Sequence, residues 1–113
     1  MAYDERLAGR LRAVAADVLG DGTAVVEKKM FGGLALMVDG KMACGVYQDA
    51  VLVRVDPDTS ADVLREPSVR AFDMGRGPSK GWVLVDPAGV AADADLRRWV
   101  QRSTTYARSL PPK

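Results

Sequence analysis

The chain has 113 residues, 48% of them apolar, with 16 basic and 15 acidic side chains and a net charge of +1. One compact domain is the expectation, because a chain of this length buries roughly two-thirds of its unfolded surface; a disordered tail or a globally basic nucleic-acid binder does not fit the balance. The chain has no histidine and one cysteine, Cys44, which removes Ser-His-Asp and Cys-His catalysis, His-containing zinc sites, Cys-clustered metal sites and intramolecular disulfides.

The start carries acids at Asp4 and Glu5 and has no apolar stretch of signal-peptide length. The longest apolar runs, such as residues 34–38, are too short to cross a bilayer. A free thiol without a pairing partner suits a reducing interior, so a cytoplasmic protein without membrane contact is expected.

Leu7, Leu11, Val14 and Val18 trace an amphipathic helix, with Asp4 and Glu5 placed in its first turn and Gly20-Asp21-Gly22 as its terminator. Arg6, Arg10 and Asp17 fall on its outer, solvated face. Residues 24–30 then read as a strand, with Phe31-Gly32-Gly33 as a bend or bulge. Residues 34–38 and 41–47 flank Asp39-Gly40, a hairpin signal because both central residues of a type I′ turn need positive φ. A second turn at Gln48-Asp49 leads to the alternating strand 51–55, which Asp56-Pro57 ends.

Asp58 or Ser60 caps a short helix through Leu64, which stops before Pro67. Residues 69–73 and 81–85 form two further strands around the loop 74–80. Asp93 or Asp95 opens the last helix, where Leu96, Trp99, Val100, Ser103 and Ala107 share a side, and Pro111 and Pro112 close it. The pattern predicts one α+β domain over residues 1–113. Its antiparallel sheet, a meander plus two further strands, is packed by the N- and C-terminal helices. The expected sheet edges are residues 51–55 or 83–85, with Arg54 their one internal charge.

Few residues offer chemistry. Lys28 and Lys29 beside Gly32-Gly33 suit an anion held near the backbone, although strand glycines more often mark a bulge with solvated lysines. Gly75-Arg76-Gly77-Pro78-Ser79-Lys80-Gly81 has the composition of a phosphate cradle, but it feeds the strand beginning at Trp82 and not a helix, so a Walker loop is excluded. Weak anion binding by Arg76 and Lys80 stays open beside the plainer reading of an exposed hairpin loop. The acid pairs Asp56/Asp58 and Asp93/Asp95 sit where turn and capping residues belong. Cys44, between Ala43 and Gly45, reads as a small buried hydrophobe. No cofactor or metal is expected.

Charge is unevenly spread. Residues 1–96 carry 11 basic and 15 acidic groups, whereas residues 97–113 carry Arg97, Arg98, Arg102, Arg108 and Lys113 with no acid. Arg98 and Arg102, four apart on a helix, are the candidate basic surface for an acidic protein or, weakly, for nucleic acid.

Taken together, Lys28-Lys29-Met30-Phe31-Gly32-Gly33, Gly40-Lys41-Met42, Cys44-Gly45-Val46, Leu52-Val53-Arg54 and Lys80-Gly81-Trp82-Val83 resemble the N-terminal domain of the TfoX/Sxy competence regulators. The resemblance covers nearly the whole chain and implies a two-layer fold similar to secretion-chaperone-like and YjbR-like domains. It also implies regulation without catalysis, since full-length relatives are coactivators that work with the cyclic-AMP receptor protein. Those relatives carry a further helical domain, so a stand-alone, single-domain form is expected here.

The expected role is therefore a non-enzymatic protein-interaction domain with a protein partner, drawn from the transcription machinery, and a two-fold homodimer. The alternative is an anionic-ligand or enzymatic domain built on Lys28, Lys29, Arg76, Lys80 and Trp82.

Overall fold

Asp4 starts the fold as a cap. Its carboxylate accepts from the N–H groups of Arg6 at 2.9 Å and Leu7 at 3.1 Å, so it stands just outside the first turn of α1 (Glu5–Leu19) instead of within it. The computed structural model describes residues 3–20, 22, 25–30, 32–73 and 78–111, with the side chains of 78 and 79 excepted. Leu7, Ala8, Leu11 and Ala15 form the buried row of α1, with Val14 and Val18 half-buried at its flank.

The middle of the chain is a meander of β1 (Val25–Met30), β2 (Gly33–Val38), β3 (Lys41–Tyr47) and β4 (Ala50–Arg54). Asp39 and Gly40, at φ 51° and 84°, turn the β2–β3 hairpin as the type I′ expectation requires. After β4, a single 3-10 turn and the short α2 (Ser60–Val63) carry the chain to β5 (Val69–Asp73), and β6 (Pro78–Val85) returns. The last helix, α3, spans Asp93–Ser109.

The six strands form one antiparallel sheet in the order β1-β2-β3-β4-β6-β5. This corrects the expected edges. β4 lies between β3 and β6, and β6 lies between β4 and β5, so residues 51–55 and 83–85 are interior and the edges are β1 and β5. The physical reason is the excursion through α2: it takes β5 past the open side of β4, and β6 then fills the gap on its way back.

Directly paired residues of antiparallel strands share a face. Leu34, Leu36, Cys44, Val46, Val51, Val53, Val83 and Val85 belong to the face that packs with Leu7, Leu11, Leu96, Trp99 and Val100 from α1 and α3, and this is the main core. The buried hydroxyls of Ser103 and Thr104 bond the Val100 carbonyl at 3.0 and 2.8 Å, so α3 keeps its polar groups satisfied inside it. The opposite face carries a smaller cluster of Ala50, Leu52, Phe72 and Leu84, with Met42, Tyr47 and Trp82 half-buried around it. The molecule is a two-layer α+β fold, and among the described residues no helix is long and apolar enough to cross a membrane.

One glycine is fixed by space. A Cβ at Gly45 would stand 2.2 Å from the Leu34 carbonyl oxygen. Beside it the β2–β3 register shifts between Leu36 and Met37.

Candidate functional site

The two lysines singled out in the sequence both lie exposed on β1. Lys28 is paired with Ala35 and Lys29 with Leu34, so the ammonium groups leave the strand on opposite faces and do not converge on one anion. Lys80 and Trp82 lie on β6, exposed and half-buried respectively. Three strands separate β1 from β6, or about 19 Å at ordinary strand spacing. Arg76 lies outside the described residues. The strand order thus divides the candidate anion site into two unconnected parts. Two grooves of about 730 and 590 Å³ run along α1 and α3, lined by residues such as Val18, Thr104 and Arg108 and by Arg10, Asp17 and Arg97; Lys28, Lys80 and Trp82 line neither.

Gly81, between Lys80 and Trp82, has φ +87°. Its N–H donates to Ser60 Oγ at 2.9 Å and its carbonyl accepts from Val55 N–H at 2.8 Å. A side chain there would be strained, so only glycine lets β6 bend while staying tied to α2 and to the end of β4. Trp82 then meets Arg54, whose guanidinium stands 5.2 Å from the Trp82 ring centre and 5.9 Å from that of Tyr106 on α3. Arg54 also donates to the Met42 carbonyl at 3.3 Å, and Lys41 Nζ donates to the Leu110 carbonyl at 2.7 Å. These contacts hold the end of α3 against the end of the sheet. Sequence reasoning missed this role for Arg54, although a cation inside the apolar run Val51-Leu52-Val53-Arg54-Val55 was the available signal.

The basic terminal helix is similarly engaged. Arg102 makes a two-bond fork to Glu66, each bond 3.0 Å, and its guanidinium lies 4.4 Å over the Trp99 ring. Arg98 approaches Asp95 at 3.8 Å, Arg108 approaches Asp39 at 3.9 Å, and Arg97 pairs with Asp17. The outer face of α1 is engaged too: Arg10 donates to the Val90 carbonyl at 2.8 Å and to Asp93 at 3.0 Å. The uneven charge distribution read in the sequence is largely matched within the fold.

Reactive chemistry is sparse. Cys44 is fully buried, and loss of solvation pushes its thiol up to about 12, partly opposed by a hydrogen bond with Ser103. A thiol so placed does not act as a nucleophile at neutral pH. Among the described residues no three acidic or thiol side chains are grouped to hold a metal ion.

What the fold does present is a sheet face without a helix on it. Val26, Met37 and Met42 are paired in series across β1, β2 and β3, and Leu52, Leu84 and Phe72 continue that face toward β5. Met37, Met42, Tyr47 and Trp82 are half-buried there, and Val26 and Met30 on β1 are 54% and 43% exposed. Leu52, Leu84 and Phe72 are buried there against Met42, Tyr47 and Trp82, so the apolar atoms open to solvent on this face are those of Val26 and Met30 and parts of Met37, Met42, Tyr47 and Trp82.

No curated protein and no solved structure matches the chain significantly. The family model of the TfoX N-terminal domain matches residues 17–107, which takes in every strand, α2 and most of α3. The chain belongs to the TfoX N-terminal domain family.

Proposed function

We propose that the chain is a non-enzymatic, cytoplasmic regulatory domain that works by binding a protein of the transcription machinery through the helix-free face of its sheet. The carrying observation is the apolar stripe Val26–Met37–Met42 on that face, separated from Trp82 by Arg54, in a fold where Lys28 and Lys29 leave β1 on opposite faces and Lys80 lies on β6, beyond three intervening strands. Family membership supports regulation by resemblance to the competence coactivators, and the surface suits a partner with an apolar contact patch. Nucleic acid is a weaker partner in this reading, because the arginines of α3 already face acids of the same chain.

Affinity capture from native extract tests the proposal, comparing the wild-type chain with a Met37→Asp/Met42→Asp variant whose fold is checked by circular dichroism. The expected result is a transcription protein retained by the wild type and lost from the variant. Equal retention by both, or a retained set without transcription proteins, would overturn it.

A further inference from the structure

The two edges of the sheet are treated differently. β5 carries Arg70, bonded to Asp86 at 2.7 Å, and its pairing with β6 is interrupted between Ala71 and Asp73. Both edges carry charge, Arg70 and Asp73 on β5 and Glu27, Lys28 and Lys29 on β1, so what separates them is this irregularity, a usual means of blunting an edge. β1 has neither a break nor a proline: its six residues pair with β2 in an unbroken register, and all six are exposed. Val25, Val26 and Met30 are three of the four large apolar residues exposed among the described residues. An edge of this kind is a template for another strand.

The sequence of β1, Val25-Val26-Glu27-Lys28-Lys29-Met30, is matched to itself. Two copies of one edge strand paired about a two-fold axis must run antiparallel, with each residue opposite another of the same face. Two such registers align most of the strand. Centred on Glu27, the register sets carboxylate against carboxylate, Val26 against Lys28 and Val25 against Lys29. Centred on Lys28, it sets Glu27 against Lys29 twice and Val26 against Met30 twice, leaving one like-charged pair, Lys28 with its own copy.

Opposite charges and apolar pairs directly across a ladder stabilise it, and like charges weaken it. The Lys28-centred register therefore wins. Its single unfavourable pair is the one with long stems that can splay into solvent. Glu27 is also already bonded to Arg12 at 2.8 Å, so Lys29 of the partner subunit would approach a carboxylate that α1 holds in place.

We propose that β1 is a self-association edge: two copies of the chain join β1 to β1 with Lys28 on the two-fold axis, making one continuous twelve-stranded sheet. The apolar stripes of the two helix-free faces then run together across the join through Val26 and Met30.

Charge reversal tests the partner and the register together. Glu27→Lys sets Lys against Lys29 of the partner subunit, and Lys29→Glu sets Glu against the partner's Glu27. Sedimentation of the full chain over a concentration series should show the wild type approaching twice 12.1 kDa, and each single variant associating about tenfold more weakly. The double variant Glu27→Lys/Lys29→Glu should regain the dimer, and an equimolar mixture of the two single variants should form a mixed dimer. Glu27, Lys29 and Arg70 are all exposed; because Glu27→Lys gives up the bond to Arg12, circular dichroism of each variant checks that the fold is kept. A wild type that stays at 12.1 kDa throughout, or a dimer indifferent to these reversals, would overturn the proposal. A dimer broken instead by Arg70→Glu would assign association to β5 and overturn it equally.

Discussion

Arg102 and Glu66 are joined by two parallel hydrogen bonds of 3.0 Å, reaching from the middle of α3 to the loop after α2. The same guanidinium covers Trp99, so one side chain shields the largest core residue and fastens the excursion that positions β5 and β6. Both partners are about one-third exposed, which limits the electrostatic part. Arg102→Ala should lower stability by about 1–2 kcal/mol, from the ion pair and the lost cation–π contact together. Arg102→Lys should recover less than half, because an ammonium cannot make the fork or stack flat. Urea unfolding of the three proteins measures this, and an unaltered midpoint for Arg102→Ala would contradict it.

Much of the fold was legible because its signals are local. The stripe Leu7, Leu11, Val14, Val18 and the Asp39-Gly40 turn need only a few neighbouring residues to specify them, and both elements form where expected. The edges were not legible. Nothing in residues 69–85 says that β5 passes outside and β6 returns to β4; that choice is made by strand pairing across a long sequence separation. The surroundings of the candidate site residues were not legible for a related reason. Arg97 meets Asp17 at a separation of 80 residues and Arg102 meets Glu66 at 36, so the basic helix looked free in the sequence and is neutralised in the fold. The doublet Lys28-Lys29 looked like a cluster, yet strand alternation sends its members to opposite faces.

Leu11 and Trp99 are both essentially inaccessible and lie in the same core against the sheet. Leu11→Ala and Trp99→Ala should each cost on the order of 3 kcal/mol, through lost burial and an unfilled cavity. Thermal or denaturant melts decide it. Unchanged melting in both variants would contradict the packing of α1 and α3 on a common face.

Gly45 has no room for a methyl group. The nearest obstacle is backbone, the Leu34 oxygen at 2.2 Å, which cannot rotate away as a side chain would. Gly45→Ala should therefore destabilise by roughly 3 kcal/mol, at the upper end of overpacking effects. By contrast, Gly9→Ala, with nothing within 4 Å of the new atom, should be neutral or stabilising because alanine favours the helix. Equal melting temperatures for these two variants would refute the tight β2–β3 approach.

Binding of duplex DNA through α3 would require Arg98 and Arg102 to leave Asp95 and Glu66. Any retention should therefore be weak near about 0.15 M salt and fall steeply as salt rises, since only phosphate contacts contribute. Arg98→Glu together with Arg102→Glu should abolish it. Tight retention that survives this double change would place the nucleic-acid surface elsewhere.

Cys44 gives the pH dependence a sign. Burial raises its thiol from 9.0 to about 12 in the folded chain, so the folded state keeps a proton that the unfolded chain releases above about pH 9. The stabilisation from this group is fully present below pH 9.0 and is lost as pH rises through 9.0 toward 12. Cys44→Ala removes the titration at the cost of a small cavity, so the variant should be less stable than wild type at neutral pH. The gap between them should shrink by about 2 kcal/mol from about pH 8 to about pH 10.5, at 1.36 kcal/mol for each pH unit passed above the unfolded value. Urea melts of both proteins across that range isolate the thiol from the lysines and tyrosines they share. Stability curves that stay parallel would show that Cys44 ionises as readily in the fold as outside it, and the sealed packing of β3 against Ser103 would have to be abandoned.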